Sequence, residues 1–434
     1  MNFQRFLALR VAKSGKQSFT RLIIIIATVA VALSLTVMLA TTAMMSGFKK
    51  EITGKVFGFW GHIHITDAKV NRSLFESLPI NKNQDFLKEL DDVKAVSYAK
   101  PFELFGYVFP DTEVQGETNG GFKHVQSFAI LPGIIQTKSQ IEGILLKGVG
   151  DDFDWEFLKE NLKEGEIFEP GKDTEDRPIL ISRQTAQRLE VGVGDRFIVH
   201  FVKNGEQIPR RFTISGIYKT GLEEYDKQFA LVDIADVQAV LGWEPDQVAG
   251  FEVLVDDLDD LDVLADYLYF NILPNTLYAE TIREKFPAIF EWLALQDLNE
   301  VVILVLMLIV AIINMVTALL ILILERTNMI GVLKSLGETN WGIRKIFLYY
   351  AGYIMILGLF WGNLIGLGFC FLQKQFGFIK LSEADYYLSV APIHFDWSSI
   401  LLLNIGTMVL TLIFLIIPTY LVTRISPVKA IRFK

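Results

Sequence analysis

Four apolar runs, residues 22–45, 301–324, 347–372 and 400–421, interrupt an otherwise mixed pattern of hydrophobic and polar positions. Each is long enough to span a bilayer, since about 24 residues of helix extend ~36 Å against a hydrocarbon core of ~30 Å. The interval between the first two runs, residues 48–297, is polar and mixed, and long enough to hold folded domains with their own cores. Within it, residues 61–66, 95–99, 251–255 and 276–279 read as strands, while 86–90 and 258–269 have helical spacing. These give two strand–helix–strand units, 48–100 and 246–280, which together form a small α+β part. Between them, 101–245 is a β-rich insert with short strand-like runs at 125–131, 179–181, 196–202, 211–218 and 228–232. Asn204-Gly205 marks a tight hairpin turn. Residues 281–297 are amphipathic and aromatic and run into the second span as a stalk helix, with Pro287 near its start or at a kink.

The link between the second and third spans, residues 325–346, is not built like a passive turn. Met329, Ile330, Leu333 and Leu336 recur at helical spacing around Gly331, with Arg326 and Lys334 interleaved and Glu325 at the start. Gly337 stops this helix, and Thr339 or Asn340 caps the next one. Spacing alone fits a connector resting among headgroups as well as a helix that docks on a partner. In the spans, Gly358, Gly362 and Gly366 form a stripe of small residues, and Ala32, Thr36 and Ala40 another. Such stripes let helix backbones approach closely. Asn314, midway in the second span, reads as a polar contact between helices.

Charge sets the orientation. Residues 1–21, an amphipathic basic segment, and the tail 423–434 carry basic residues and no acid. The link carries Arg326, Lys334, Arg344 and Lys345 against Glu325 and Glu338. Four spans put all three segments on one side, which the positive-inside rule makes the cytoplasm. The large interval, taken to Glu300, holds 26 basic against 45 acidic residues; it belongs outside and is unsuited to nucleic acid. The predicted fold is therefore an α+β integral membrane protein. Its four transmembrane helices cover 22–47, 298–324, 347–372 and 398–422, with an extracytoplasmic domain inserted between the first and second and a short outer loop at 373–397. The first run exceeds a signal-peptide core of ~7–15 residues and reads as a retained anchor. A cysteine placed at Asn204 should react with an impermeant maleimide on intact spheroplasts, and protection of that site would overturn the four-span topology.

Little in the chain suggests chemistry of its own. Gly165…Gly171-Lys172-Asp173 has neither the spacing nor the Ser/Thr of a phosphate-binding loop. There is no nucleophile elbow, no zinc-protease motif, and almost no ionisable residue inside the spans. The lone cysteine, Cys370, cannot form an internal disulfide. His62 and His64 share one face of a strand. They read as polar-face residues, since a metal would need further ligands.

The sequence 325–337, Glu-Arg-Thr-Asn-Met-Ile-Gly-Val-Leu-Lys-Ser-Leu-Gly, resembles the link of FtsX-like ABC permeases, a group that includes lipoprotein-releasing and MacB-type subunits. Residues 6–10, 310–314 and 418–432 are similar to that family's start, second span and closing segment, and the domain between the first two spans resembles its porter-plus-β layout. The resemblance implies that the link is a coupling helix on a separate cytoplasmic ATPase dimer. Ile330, Leu333 and Leu336 would dock in a cleft, with Arg326 and Lys334 on its polar rim. It further implies a second permease subunit, identical or paralogous, and an acylated lipoprotein as cargo. No cofactor would bind this chain; ATP and Mg would belong to the ATPase, so the chain is a transport subunit and not an enzyme. In this family carrier-docking subunits use a protruding hairpin. The matching segment here, 203–210, is short and leaves docking of a periplasmic carrier open. Another FtsX-like or MacB-like permease, for efflux or for gating a cell-wall hydrolase, and a membrane-tethered binding or sensor module are the alternatives.

Overall fold

The computed structural model describes residues 18–70, 77–104, 107–136, 141–172, 176–203 and 205–424. The motif at 6–10, most of the closing motif and Asn204 lie outside the described residues. Three apolar runs each lie within one long helix, Ser18–Trp60, Pro287–Glu325 and Asn340–Phe376, and the fourth, 400–421, fills Trp397–Thr419 and reaches the short helix Leu421–Arg424 that follows it. All four are long and apolar enough to cross a membrane. The first does not end with its apolar run. Phe48, Ile52, Val56 and Trp60 continue the helical period past Lys49-Lys50-Glu51, and all four are buried. Pro287 opens the second-span helix without kinking it, since its missing N–H falls where no intrahelical partner exists. The short helix before it, Ile282–Lys285, begins with a capping box between Thr281 and Glu284.

The chain divides into two compact units. One, residues 52–290 with 382–388, is built on a ten-stranded sheet. From one edge the strands run Leu277–Thr281, Ile63–Asp67, Gly250–Val255, Phe122–Gln136, Ile141–Val149, Phe229–Asp233, Pro178–Ser182, Glu206–Tyr218 and Leu162–Gly165. Arg196–Lys203 pairs with both Glu206–Tyr218 and the end of Phe122–Gln136. Thus the sheet does not break at 101 or 245. The 15-residue strand Phe122–Gln136 pairs with Gly250–Val255 through its first half and with Ile141–Val149 through its second. The expected hairpin is present: Glu206 pairs with Lys203, and Gly205 takes the φ of +83° that its turn requires. Ser97–Leu104 and Tyr107–Glu117 form a separate two-stranded sheet.

The expectation of a polar face is not met for His64, while His62 lies just before the strand and is half-buried. Ile63, His64 and Ile65 are all buried, because both faces of this strand are covered.

The second unit, residues 1–51, 291–381 and 389–434, holds the spans. A core of Ala27, Val31, Met315, Leu319, Phe347, Tyr350 and Leu415 joins all four helices near the link. Farther along, the second span shows Val301, Val305, Leu306, Ile309 and Ile313 uncovered.

Candidate functional site

The link folds as the helix Thr327–Ser335, ended by Gly337 at φ +91°. Thr339 caps the following helix by accepting from Gly342 N at 3.0 Å. Its apolar residues, however, point two ways. Ile330 and Leu333 are buried in the core of the helical unit, beside residues such as Phe347 and Val422. Leu336 is 78% exposed and Val332 is exposed beside it, as is Trp341 at the start of the next helix. The expectation that Ile330 and Leu333 dock on a partner is therefore corrected: they hold the link onto its own bundle, and the outward apolar side chains are Val332, Leu336 and Trp341.

Lys334 is not a rim charge either. Its ammonium donates to the carbonyl of Val422 at 2.8 Å, a cation at the end of the last helical turns where carbonyls lack partners. Arg326 and Glu325 are half-buried, and Gly331 is buried. Arg344 stacks 4.2 Å above the Tyr420 ring.

The glycine stripe meets the first span. A Cβ at Gly358 would fall 2.7 Å from Val31 Cγ1, one at Gly362 2.9 Å from Ala32 O, and one at Gly366 3.2 Å from Thr36 Cα. Thr36 Oγ1 donates to Gly362 O at 3.2 Å. Among the described residues Asn314 makes no interhelical hydrogen bond; its amide donates to Val310 O one turn back in its own helix, at 2.9 Å. The interhelical amide contact is instead Asn363–Asn404, where each amide donates to the other's oxygen, at 2.6 and 3.1 Å, joining the third and fourth spans. Single Asn residues in two apolar runs are the signal that could have found it. At the end away from the link, Thr42 Oγ1 donates to Glu300 at 2.8 Å and Lys49 pairs with Asp297 at 2.8 Å, tying the first span to the second.

The sheet unit contains a charged cluster with no counterpart in the expectations. Lys147 and Glu252 are both fully buried, with Nζ 2.7 Å from Oε1. Lys147 also donates to the carbonyl of Phe59 at 2.8 Å and lies within about 5.4 Å of the Phe59, Trp60 and Phe153 rings. Gln126 donates to the other Glu252 oxygen at 2.7 Å. Burial alone would raise the Glu252 pKa, but the Lys147 ammonium and His64 outweigh it and hold the carboxyl below its ordinary value. His64 Nε2 lies 2.7 Å from Trp60 O, an acceptor, so Nε2 carries the proton. Nδ1 then accepts from Lys285 Nζ at 2.9 Å.

Burial, followed by the charge of Lys285, pushes the His64 pKa down to about 4. Burial, followed by Lys123, lowers His62 to about 4 as well. In the window between pH 6.5 and 4 the unfolded chain takes up protons that the folded histidines refuse, so their contribution to stability falls as pH falls. Asp236, raised to about 6 by burial, acts in the opposite sense. Comparison with His64→Gln isolates the histidine. Between pH 7 and 5 the wild type should lose on the order of 2 kcal/mol more than the variant in denaturant melts, and parallel losses would contradict this.

Residues 301–427 match the FtsX-like permease C-terminal family, and residues 19–268 match the MacB-like periplasmic core domain. The lipoprotein-releasing system transmembrane protein LolC of Xylella fastidiosa (strain 9a5c) is 24% identical over 421 residues, covering 93% of this chain and 92% of that protein. LolE of the same system in Haemophilus influenzae is 21% identical over 460 residues, covering 99% of each. Among solved structures, the extracellular domain of the noncanonic ABC-type transporter YknZ from Gram-positive bacteria aligns with 51% of this chain and 100% of its own, at TM-score 0.30 and 13% identity. With a core-domain match over more than half of its length and a permease match over its last three spans, the chain belongs to the FtsX-like ABC permeases with a MacB-like periplasmic core domain.

Proposed function

We propose that this chain is the permease subunit of a transporter that extracts lipoproteins from the outer leaflet of the bacterial inner membrane, driven by ATP hydrolysis on a separate cytoplasmic subunit. The observation that carries this reading is likeness along nearly the full length of relatives named as lipoprotein-releasing transmembrane proteins. The link supports the ATP-driven part. Val332, Leu336 and Trp341 leave an apolar patch outside a link whose other face is locked into the bundle. A docking subunit that buried this patch would act on a rigid segment. ATP and Mg then belong to that subunit, and this chain acts by moving. Residues 48–297 would lie in the periplasm and both termini in the cytoplasm. A second permease copy or paralogue completes the transporter, against which the uncovered face of the second span is available. Carrier docking through 203–210 stays with this reading as a subsidiary proposal.

The test is purification of the full chain from membranes in mild detergent, followed by identification of what comes with it. An ATPase together with triacylated lipoprotein supports the reading; an ATPase without lipoprotein removes the cargo assignment. The match of the core domain to a MacB-like family favours a second reading, efflux by a similar mechanical stroke. In that case small exported molecules, not lipoproteins, would stimulate the ATPase.

A further inference from the structure

We propose that His64, Lys147 and Lys285 are positioning residues that fasten the ends of two span-bearing helices to the sheet, so that displacement of those helices reaches the core domain undiminished. This rests on the ATP-driven reading above and names the part that would transmit it.

Three observations converge. The last carbonyls of a helix have no intrahelical donor. Here Phe59 O and Trp60 O, at the end of Ser18–Trp60, receive the Lys147 ammonium at 2.8 Å and His64 Nε2 at 2.7 Å. Both donors sit on strands of the sheet, Lys147 on Ile141–Val149 and His64 on Ile63–Asp67. Lys285, two residues before the helix Pro287–Glu325, donates to the other nitrogen of the same imidazole at 2.9 Å. One neutral ring thus joins the end of the first-span helix to the foot of the second-span helix. Ile282 N also donates to His62 O at 3.0 Å, and the Trp60 and Phe286 rings lie 5.4 Å apart.

The choice of residues is costly if the purpose is stability alone. A buried ion pair is often no better than an apolar pair of the same volume, because desolvation offsets the attraction. What Lys147 and Glu252 add over such a pair is direction: a charge-assisted donor aimed at one carbonyl of one helix. Apolar contacts permit a helix end to slide or turn; two hydrogen bonds to successive carbonyls do not.

The experiment uses the full chain in nanodiscs with its co-purified ATPase. Hydrogen exchange is followed in the strands Ile63–Asp67 and Gly250–Val255 with and without adenylyl-imidodiphosphate. Wild type should show a nucleotide-dependent change in these strands. The pair replacement Lys147→Met with Glu252→Leu strands no charge, though it leaves the Phe59 carbonyl and the Gln126 amide without these partners; it should still unfold cooperatively and bind nucleotide, yet lose that change. Lys285→Met, at a half-buried site, should act in the same direction without a folding defect, and Lys285→Arg should restore the response; these decide the matter if the double variant melts early. Variants that melt and respond as wild type does would overturn the proposal and leave the permease reading standing. Absence of any response in wild type would overturn both.

Discussion

Replacing Leu336 by aspartate should strip the chain of the ATPase subunit proposed to dock on the link, while leaving it folded in the membrane. Leu336 is 78% exposed and lies outside the core that holds the link to its bundle, so the change should alter stability by only a few tenths of a kcal/mol, as surface substitutions do. In the complex the same side chain would be covered. Loss of a buried Leu removes roughly 1.5–3 kcal/mol, and an unpaired carboxylate in its place costs several more. Together these predict a drop in affinity of about a hundredfold or more. Val332→Asp should behave similarly. Ile330→Asp should not: that side chain is fully buried, so the charge would disrupt the helical unit itself and reduce the amount of protein in the membrane. Lys334→Ala should cost about 1 kcal/mol of stability by stranding the Val422 carbonyl, and change docking little. The measurement is co-purification and stimulation of the ATPase with each variant. Wild-type behaviour of Leu336→Asp would remove the link as the docking segment.

Gly362→Leu should destabilise the helical unit by about 3 kcal/mol or more, seen as early melting in detergent and low accumulation in membranes. Even the first added carbon would lie 2.9 Å from the Ala32 carbonyl and from Leu35 Cβ, closer than such atoms approach. In lipid no hydrophobic force compensates; close packing and the Thr36–Gly362 hydrogen bond are what hold these helices together. Overpacking by a methylene typically costs about 1–3 kcal/mol, and Leu adds several. The stripe is graded. Gly358→Ala and Gly362→Ala should each hurt more than Gly366→Ala, whose new carbon would find 3.2 Å. Gly362→Leu melting with the wild type would mean that the third span does not pack against the first in the membrane.

The sequence marks the spans, the stop at Gly337, a cap at Thr339 or Asn340 and the glycine stripe because each is a local signal: run length, a left-handed φ, a side-chain acceptor, small residues every four positions. It did not mark which face of the link looks outward. Ile330 and Leu333 lie on one side of the helix and Val332 and Leu336 on the other, and periodicity alone does not say which face the bundle covers. The polar-face expectation for His64 fails for a related reason. Alternation with Ile63 and Ile65 assigns it to the opposite face of a strand, but does not say whether that face is wet. The Lys147–Glu252 pair spans 105 positions, a distance over which no sequence pattern operates. The one available signal was a lysine inside the apolar run 144–149. Such runs belong to strands covered on both faces, so a lysine there needs a buried partner.

The four long helices also differ in stiffness. Ser18–Trp60 contains Gly47, Gly54 and Gly58 in its final turns, Asn340–Phe376 contains six glycines, and Trp397–Thr419 contains Pro418. Pro287–Glu325 has no glycine and no proline beyond its first residue, so nothing in its 39 residues invites a kink. Such a helix is a rod of ~58 Å, nearly twice the hydrocarbon thickness. Pivoted near its link end, it would swing its far end by roughly 10 Å for a tilt of about 10°. A small rotation where Glu325 meets the link would thereby become a displacement several residues long at Pro287.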